Sequence, residues 1–123
     1  MADLAQLTFE VIKDRLPKGY TLTDWKEGTK SFEFIPVQVG DETVGAIMAR
    51  GPELHVSILP AYRCKWMNKK VMRFIKDRAH QFGFVQTLVS NEHQAGHKFA
   101  ERLGFKRADQ NEAVTLYRME YAK

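Results

Sequence analysis

The chain has little cysteine and no long apolar segment, and both shortages exclude classes of protein. Its 123 residues contain one cysteine, so no disulfide can form within the chain. No apolar run approaches the ~18–20 residues that a membrane-spanning helix needs. The opening residues do not form a basic-then-apolar signal segment. We therefore expect a cytoplasmic protein without a disulfide framework and without a membrane partner.

Low-complexity stretches, internal repeats and linkers are also missing from the sequence. With 44% hydrophobic and 28% charged residues, the composition is that of a folded domain able to bury a core. We predict one domain over residues 1–123. The net charge of +4 favours an anionic ligand, such as a nucleotide cofactor, a nucleic acid or an acidic protein. Charge alone does not choose among these.

Changes of hydrophobic period divide the chain into helices and strands. The predicted elements are a helix over 3–16, strands over 20–25, 31–39, 42–50 and 53–59, a helix ending at Gly83, a strand over 85–89, a helix over 93–103 and a strand over 114–121. Pro36 suggests an edge position or a bulge for its strand. The helix that ends at Gly83 joins two parallel strands, so we predict an α/β fold, a mixed sheet with a parallel crossover and helices on both faces.

The most informative segment runs from Ile58 to Asn68, where a strand ends at Pro60 and a short basic loop leads into a basic helix. Asn68 is a residue type that favours the N-cap position. A helix start presents unpaired N–H groups and a positive dipole end, so an anion such as pyrophosphate fits there. A solvated helix face is the competing interpretation, because a lone run of charge usually lies on the surface.

This segment resembles motif A of the Gcn5-related N-acetyltransferase (GNAT) superfamily. That motif is a strand ending V-x-P-x-x-[QR], followed by x-x-G-x-G/A and a helix. Ile58, Pro60 and Arg63 stand at the V, P and [QR] positions, whereas Trp66 and Asn68 replace the two glycines. The strand, loop and helix therefore match the family, and the glycines do not.

A second segment, residues 91–105, resembles motif B of the same superfamily. That motif ends in a helix closed by L-G-F, which is intact here as Leu103-Gly104-Phe105. His93 and Gly96 stand where Asn and Ala are usual. The resemblance covers about residues 42–121 and agrees with the order of strands predicted from periodicity.

The resemblance implies acetyl-CoA as cofactor, bound in a V-shaped opening between the strands over 53–59 and 85–89. The pantetheine arm would pair with the backbone of Ile58 and Leu59, as an added strand does at a sheet edge. The pyrophosphate would rest on backbone amides of the loop, which consists of Arg63, Cys64, Lys65, Trp66, Met67 and Asn68.

Trp66 and Asn68 bring side chains to positions where glycine lets the backbone approach phosphate. Asn tolerates left-handed backbone geometry fairly well, and Trp does not. Three placements of Trp66 are therefore open: stacked on the adenine, folded back on the core, or plugging the loop.

Candidate acid–base groups lie on the strand that precedes the loop. The resemblance implies direct attack of an amine on the thioester, assisted by a base that is often a carboxylate on or near the central strand. Glu53 and His55 are the ionisable side chains of the strand over 53–59, and alternation places them on one face. The competing interpretation is a solvent-facing Glu53 and a structural His55, because both faces of such a sheet are usually covered.

The family's usual acid for the departing thiolate is absent. It is a tyrosine four residues before the glycine of motif B, and Ala100 stands at that position. Tyr117 and Tyr121 lie on the last strand, and the sequence does not bring either to the sulfur.

Other reactive side chains do not form a recognisable site. Cys64 lies in a basic loop that could lower its pKa, but it lacks the His/Asp partner pattern of a nucleophile. His93 and His97 are one helical turn apart and lack a third ligand, so no metal site is predicted.

Three functions follow from these observations. The first is an acetyl-CoA-dependent N-acetyltransferase that transfers directly to a primary amine of a small molecule or a protein. The second is a catalytically inactive protein of the same fold. The chain looks similar to short GNAT members of tailed phages, so this second role includes a phage virion or head-assembly component. A second copy of the chain, in a homodimer, is another partner that the sequence leaves open. The third, nucleic-acid binding by the basic helix, is disfavoured because no reading motif is present; two exposed aromatics interleaved with the basic face would favour it.

Overall fold

The structure is a computed structural model that describes residues 3–62 and 65–121. Its elements are α1 Leu4–Ile12, a 3₁₀ turn Lys13–Arg15, α2 Leu22–Gly28, β1 Glu33–Val39, β2 Glu42–Arg50, β3 Glu53–Ile58, a 3₁₀ turn Pro60–Tyr62, α3 Lys69–Phe82, β4 Phe84–Ser90, α4 Gln94–Arg102, β5 Lys106–Gln110 and β6 Val114–Glu120. None of the described helices is both long and apolar enough to cross a membrane.

The six strands form one sheet in the order β1-β2-β3-β4-β6-β5. β3 and β4 run parallel, with Glu53 beside Gln86, while the pairs β1–β2, β4–β6 and β5–β6 are antiparallel. The predicted α/β class, with a mixed sheet and a parallel crossover through α3, is therefore confirmed. The chain divides into two compact units: unit 1 is Met1–Arg50 with His55–Val71, and unit 2 is Gly51–Leu54 with Met72–Lys123.

Unit 1 begins with two helices whose starts are capped by side chains. Asp3 Oδ1 accepts a hydrogen bond from the Gln6 N–H at 3.0 Å, as its N-cap position predicts. The strand predicted over 20–25 is wrong, because this segment leads into α2. Thr21 and Asp24 form a capping box, each side chain accepting the other residue's N–H. That local pairing starts a helix and outweighs a short alternation of apolar residues.

The strands β1 and β2 contribute to the core of unit 1. Every residue of β2 from Val44 to Ala49 is buried, on both faces of the strand. β1 lies at the edge of the sheet, as Pro36 predicts, and its register with β2 shifts between Val37 and Gln38. Gly40 turns the chain between the two strands with a φ of 61°. β1 and β2 thus form a hairpin.

Unit 2 is built around β4, β6 and α4. Val85, Thr115 and Tyr117 are fully buried. α4 ends in a Schellman motif, because the Gly104 N–H donates to the Glu101 C=O at 3.1 Å and the Phe105 N–H to the Ala100 C=O at 3.0 Å. Gly104 has a φ of 100°, which explains why this C′ position holds glycine.

Two predictions fail in unit 2. β5 is not predicted by the sequence, since all five of its side chains are exposed and no apolar alternation marks it. The apolar composition of residues 85–89 predicts a buried strand, yet Leu88 within β4 is 46% exposed. An apolar run therefore marks this strand correctly without showing that one of its faces reaches solvent.

Candidate functional site

The backbone at the end of β3 presents Ile58 and Leu59 to opposite edges of the strand. The Leu59 N–H donates to the Val44 C=O of β2 at 2.8 Å, and the Leu59 C=O accepts from the Tyr62 N–H at 2.9 Å. Backbone groups of successive strand residues point to opposite edges. The N–H and C=O of Ile58 are therefore directed away from β2, whereas Leu59 has no free N–H to offer a ligand.

A glycine fixes the position of this strand end. A Cβ built on Gly45 of β2 would lie 2.3 Å from the Ser57 carbonyl oxygen and 2.9 Å from the Ile58 Cα. Contacts this short with backbone atoms cannot be relieved by a rotamer change. Gly45 thus lets β2 approach β3 closely, and the approach sets where Ile58 presents its outer edge.

The loop after β3 is anchored to the β1–β2 hairpin. The Tyr62 hydroxyl donates to the Glu42 carboxylate, and this bond raises the pKa of Tyr62. The Lys65 N–H donates to the Tyr62 C=O at 3.0 Å, and Asn68 Nδ2 donates to the Gln38 C=O at 3.3 Å. The loop is therefore held at both ends, and the Lys65 amide is used within the protein.

Asn68 caps α3, as its residue type predicts. Its Oδ1 accepts a hydrogen bond from the Val71 N–H at 3.0 Å, so Asn68 is the N-cap and Val71 the third helical residue. In the described ranges no residue other than glycine has a positive φ, so Asn68 fills the second glycine position of the motif without left-handed geometry. The N–H groups of Lys69 and Lys70, the first two helical residues, have no acceptor within the helix.

Trp66 lies in the core of unit 1 at 4% exposure. Of the three placements that the sequence leaves open, the structure shows the one in which the indole folds back on the core. Lys65 is exposed and Met67 is half-buried. Arg63 and Cys64, which we predicted as cofactor contacts, lie outside the described residues.

The two predicted acid–base residues lie on β3 as expected, and both are half-buried. The His55 ring packs edge-on against Phe32, with centroids 5.7 Å apart and an interplanar angle of 70°. The Arg50 guanidinium lies 4.3 Å from the centroid of the same Phe32 ring. His55 is thus restrained by an aromatic contact, and neither it nor Glu53 is fully buried.

A buried polar cluster in unit 2 was not predicted. His97 Nδ1 lies 2.7 Å from the Tyr117 hydroxyl, and His97 Nε2 lies 3.0 Å from the Ser90 carbonyl oxygen. Because a carbonyl only accepts, Nε2 carries a proton. The Tyr117 hydroxyl also lies 3.2 Å from Glu101 Oε1. These residues are far apart in sequence, and only the spacing of His97 and Glu101 on one helix hints at a shared face.

The position of the family's tyrosine acid is occupied by a buried Ala100, at 3% exposure. Tyr117 is fully buried within the cluster just described, and Tyr121 is 42% exposed. Within residues 3–62 and 65–121, no group of three or more His, Cys, Asp or Glu side chains is placed to hold a metal ion.

The family model "Acetyltransferase (GNAT) family" matches residues 1–105, which include the strand end, the loop and the helix start described above. The chain belongs to the GNAT acetyltransferase family. No curated protein sequence matches this GNAT chain.

Solved structures share the GNAT fold at low sequence identity. PH1933 from Pyrococcus horikoshii OT3 has a TM-score of 0.73 and 13% identity, covering 100% of this chain and 94% of that one. A GNAT acetyltransferase from Elizabethkingia anophelis with acetyl-CoA bound has a TM-score of 0.69 and 11% identity, covering 98% and 92%. The PaiA N-acetyltransferase of Thermoplasma acidophilum in complex with coenzyme A has a TM-score of 0.67 and 13% identity, covering 97% and 89%.

Proposed function

We propose that this GNAT protein is an acetyl-CoA-dependent N-acetyltransferase that transfers the acetyl group directly to a primary amine. The observation that carries the proposal is the backbone of Ile58 directed away from β2, followed by a loop that leads into the Asn68-capped start of α3. When bound, acetyl-CoA supplies a thioester whose acetyl carbon is open to attack by the amine. Membership of the acetyltransferase family supports the same chemistry.

The residues of this region fit the cofactor in part. Ile58 has an outward N–H and C=O that suit an extended amide-containing arm. The first-turn amides of Lys69 and Lys70, with their exposed ammonium groups, suit a pyrophosphate. Lys65 contributes an exposed side chain rather than its amide, and Trp66 contributes to the core. The helix start therefore takes over the role that the glycine amides have in the family motif.

Glu53 and His55 are the proposed proton acceptors for the attacking amine. Both are half-buried on β3, where partial burial keeps a base within reach of solvent while limiting its freedom. We expect Glu53→Gln or His55→Gln, whichever removes the base, to lower kcat about 10²–10⁴-fold while leaving acetyl-CoA affinity unchanged. If both variants retain full turnover, the base lies elsewhere and this assignment is wrong.

Isothermal titration tests cofactor binding most directly. We expect heat with acetyl-CoA and with CoA, and release of free thiol when an amine acceptor is added. A suitable panel contains a polyamine, an aminoglycoside and a peptide with a free N-terminal alanine. The absence of heat with either ligand at about 1 mM, which corresponds to roughly 4 kcal/mol of binding, would overturn the proposal.

Asn68 provides a matched pair of variants. Asn68→Gly restores the glycine of the family motif, and glycine is an acceptable N-cap, so stability should fall by only a few tenths of a kcal/mol. Asn68→Ala loses the bond to the Val71 N–H and should cost about 1 kcal/mol. We expect Asn68→Gly to bind acetyl-CoA at least as tightly as the wild type. Weaker binding by Asn68→Gly would mean that the Asn68 side chain itself contacts the cofactor.

A catalytically inactive GNAT protein is the second candidate, as a binding component or a component of a phage virion. It is favoured by Ala100 at the usual tyrosine position and by the burial of the Trp66 indole in the core. The titration and the thiol assay separate the two candidates. Binding without turnover on every acceptor supports the inactive candidate, and turnover on any one of them excludes it.

A further inference from the structure

The exposed face of α3 has more positive charge than the protein uses for its own contacts. The helix contains five cations and one acid, Asp77. Arg78 is used internally, because its Nε donates to the Gly51 C=O at 2.9 Å and its guanidinium lies over Phe82. The other four are exposed side chains of Lys69, Lys70, Arg73 and Lys76.

These four cations differ from the other lysines and arginines that lie in surface ion pairs. Lys13, Lys26, Lys30 and Arg107 each lie 2.6–3.5 Å from a carboxylate. In the described part of the chain, none of the four exposed cations of α3 forms an ion pair. Their charge is therefore available to an external anion.

His80 continues the same face of α3, and its ring contacts that of Tyr121, which follows β6. Arg73, Lys76 and His80 are spaced i, i+3 and i+7, so they lie along one stripe about 10 Å long. The His80 ring packs against the Tyr121 ring with centroids 4.7 Å apart and an interplanar angle of 51°. His80 is exposed, and Tyr121 is 42% exposed. This stripe thus combines cations with aromatic rings that reach solvent, which the sequence alone did not show.

We propose that the stripe formed by Arg73, Lys76, His80 and Tyr121 binds single-stranded nucleic acid. Cations that follow the backbone and aromatic rings on which bases stack are the two components of sequence-independent single-strand binding. An acidic polypeptide would use the cations without needing the rings. A duplex, whose bases are already stacked, would likewise gain little from Tyr121. The proposal does not depend on acetyl transfer, because it uses residues beyond the first turn of α3.

The test is fluorescence anisotropy with labelled oligo(dT) and oligo(U) of about 20 nucleotides, at about 50 mM salt. Arg73→Gln/Lys76→Gln removes two charges from the stripe. The matched control Lys13→Gln/Lys30→Gln lowers the net charge of +4 by the same amount, at positions outside the stripe. We expect the stripe variant alone to reduce the slope of log K against log salt by about 1.4, or 0.7 for each lost phosphate contact.

Tyr121→Ala tests the stacking component. We expect it to weaken single-strand binding about fivefold or more, and to leave the binding of a duplex of equal length nearly unchanged. An equal loss of oligonucleotide affinity in the stripe variant and its control would show that net charge alone causes the binding, and would overturn the proposal. So would the absence of binding at about 100 µM protein, full competition by polyglutamate, or a Tyr121→Ala variant that binds like the wild type.

Discussion

The burial of Trp66 predicts a large loss of stability when its side chain is removed. The indole is 4% exposed, and a buried tryptophan removes about 150–250 Å² from water. At ~25 cal/mol per Å² the transfer term alone is about 4–6 kcal/mol, and measured Trp→Ala costs in cores are about 3–5 kcal/mol. Domains of this size unfold with about 5–15 kcal/mol in total. Trp66→Ala should therefore lose at least about a fifth of the free energy of unfolding.

The measurement is urea denaturation followed by circular dichroism, with Trp66→Phe as the control. Phenylalanine keeps an apolar ring in the same space, so it should lose less than the alanine variant. In a Trp25→Phe background, Trp66 is the remaining tryptophan and reports its own surroundings. We expect acrylamide to quench its fluorescence weakly, both without ligand and with saturating acetyl-CoA.

Two results would refute this reasoning. A cost below about 1 kcal/mol for Trp66→Ala would mean that the indole is not part of the core. Strong acrylamide quenching that acetyl-CoA removes would show that the ring leaves the core to stack on the cofactor. The second result would also restore one of the alternatives that the sequence leaves open.

Three further predictions concern packing, the buried cluster and pH. Gly45→Ala should lower the free energy of unfolding, measured by urea denaturation, by about 1–3 kcal/mol, because the added Cβ would lie 2.3 Å from the Ser57 carbonyl oxygen. An unchanged free energy of unfolding would contradict the close approach of β2 to β3. Tyr117→Phe should lower the free energy of unfolding by about 1–3 kcal/mol, because His97 Nδ1 loses the buried hydroxyl that lies 2.7 Å away. A loss below about 0.5 kcal/mol would show that this hydroxyl is dispensable. Hydrogen bonds from the N–H and hydroxyl of Thr21 lower the pKa of Asp24. The ionised Asp24 carboxylate therefore stabilises the fold above its unfolded pKa of about 4, and this stabilisation is lost as the pH falls through the lower folded pKa. The stability difference between wild type and Asp24→Asn should therefore shrink below about pH 4; a difference unchanged at pH 2 would contradict the capping role.

Much of the fold could be predicted from the sequence because its signals are local and periodic. The hairpin at Gly40, the Asn68 cap and the Gly104 helix end each depend on residues within one turn of each other. The alternation over residues 20–25 predicts a strand that does not form, because the capping box at Thr21 starts a helix in the same segment. β5 was missed because exposed strands have no hydrophobic period to detect.

Those parts of the candidate site that depend on local backbone and capping groups could be predicted from the sequence. Those that depend on how distant side chains pack could not. The resemblance to motif A points to Ile58 and Leu59 alike, whereas the pairing of Leu59 with Val44 depends on strand register. The direction of the Trp66 indole depends on the space left by distant core residues, and no local rule sets it. The His97–Tyr117 contact joins positions 20 residues apart on a helix and a strand. Such a contact leaves no spacing signal in a single sequence.

The two edge strands share a feature that bears on how copies of this chain can associate. β1 and β5 lie at opposite ends of the strand order, and each has a register shift, between Val37 and Gln38 and between Arg107 and Asp109. A shifted, twisted edge does not offer the regular ladder that a strand from another molecule needs, and the proline in β1 removes one donor. Self-association of this protein should therefore join side-chain surfaces and not extend the sheet, which would also protect it from edge-to-edge fibril growth at high concentration.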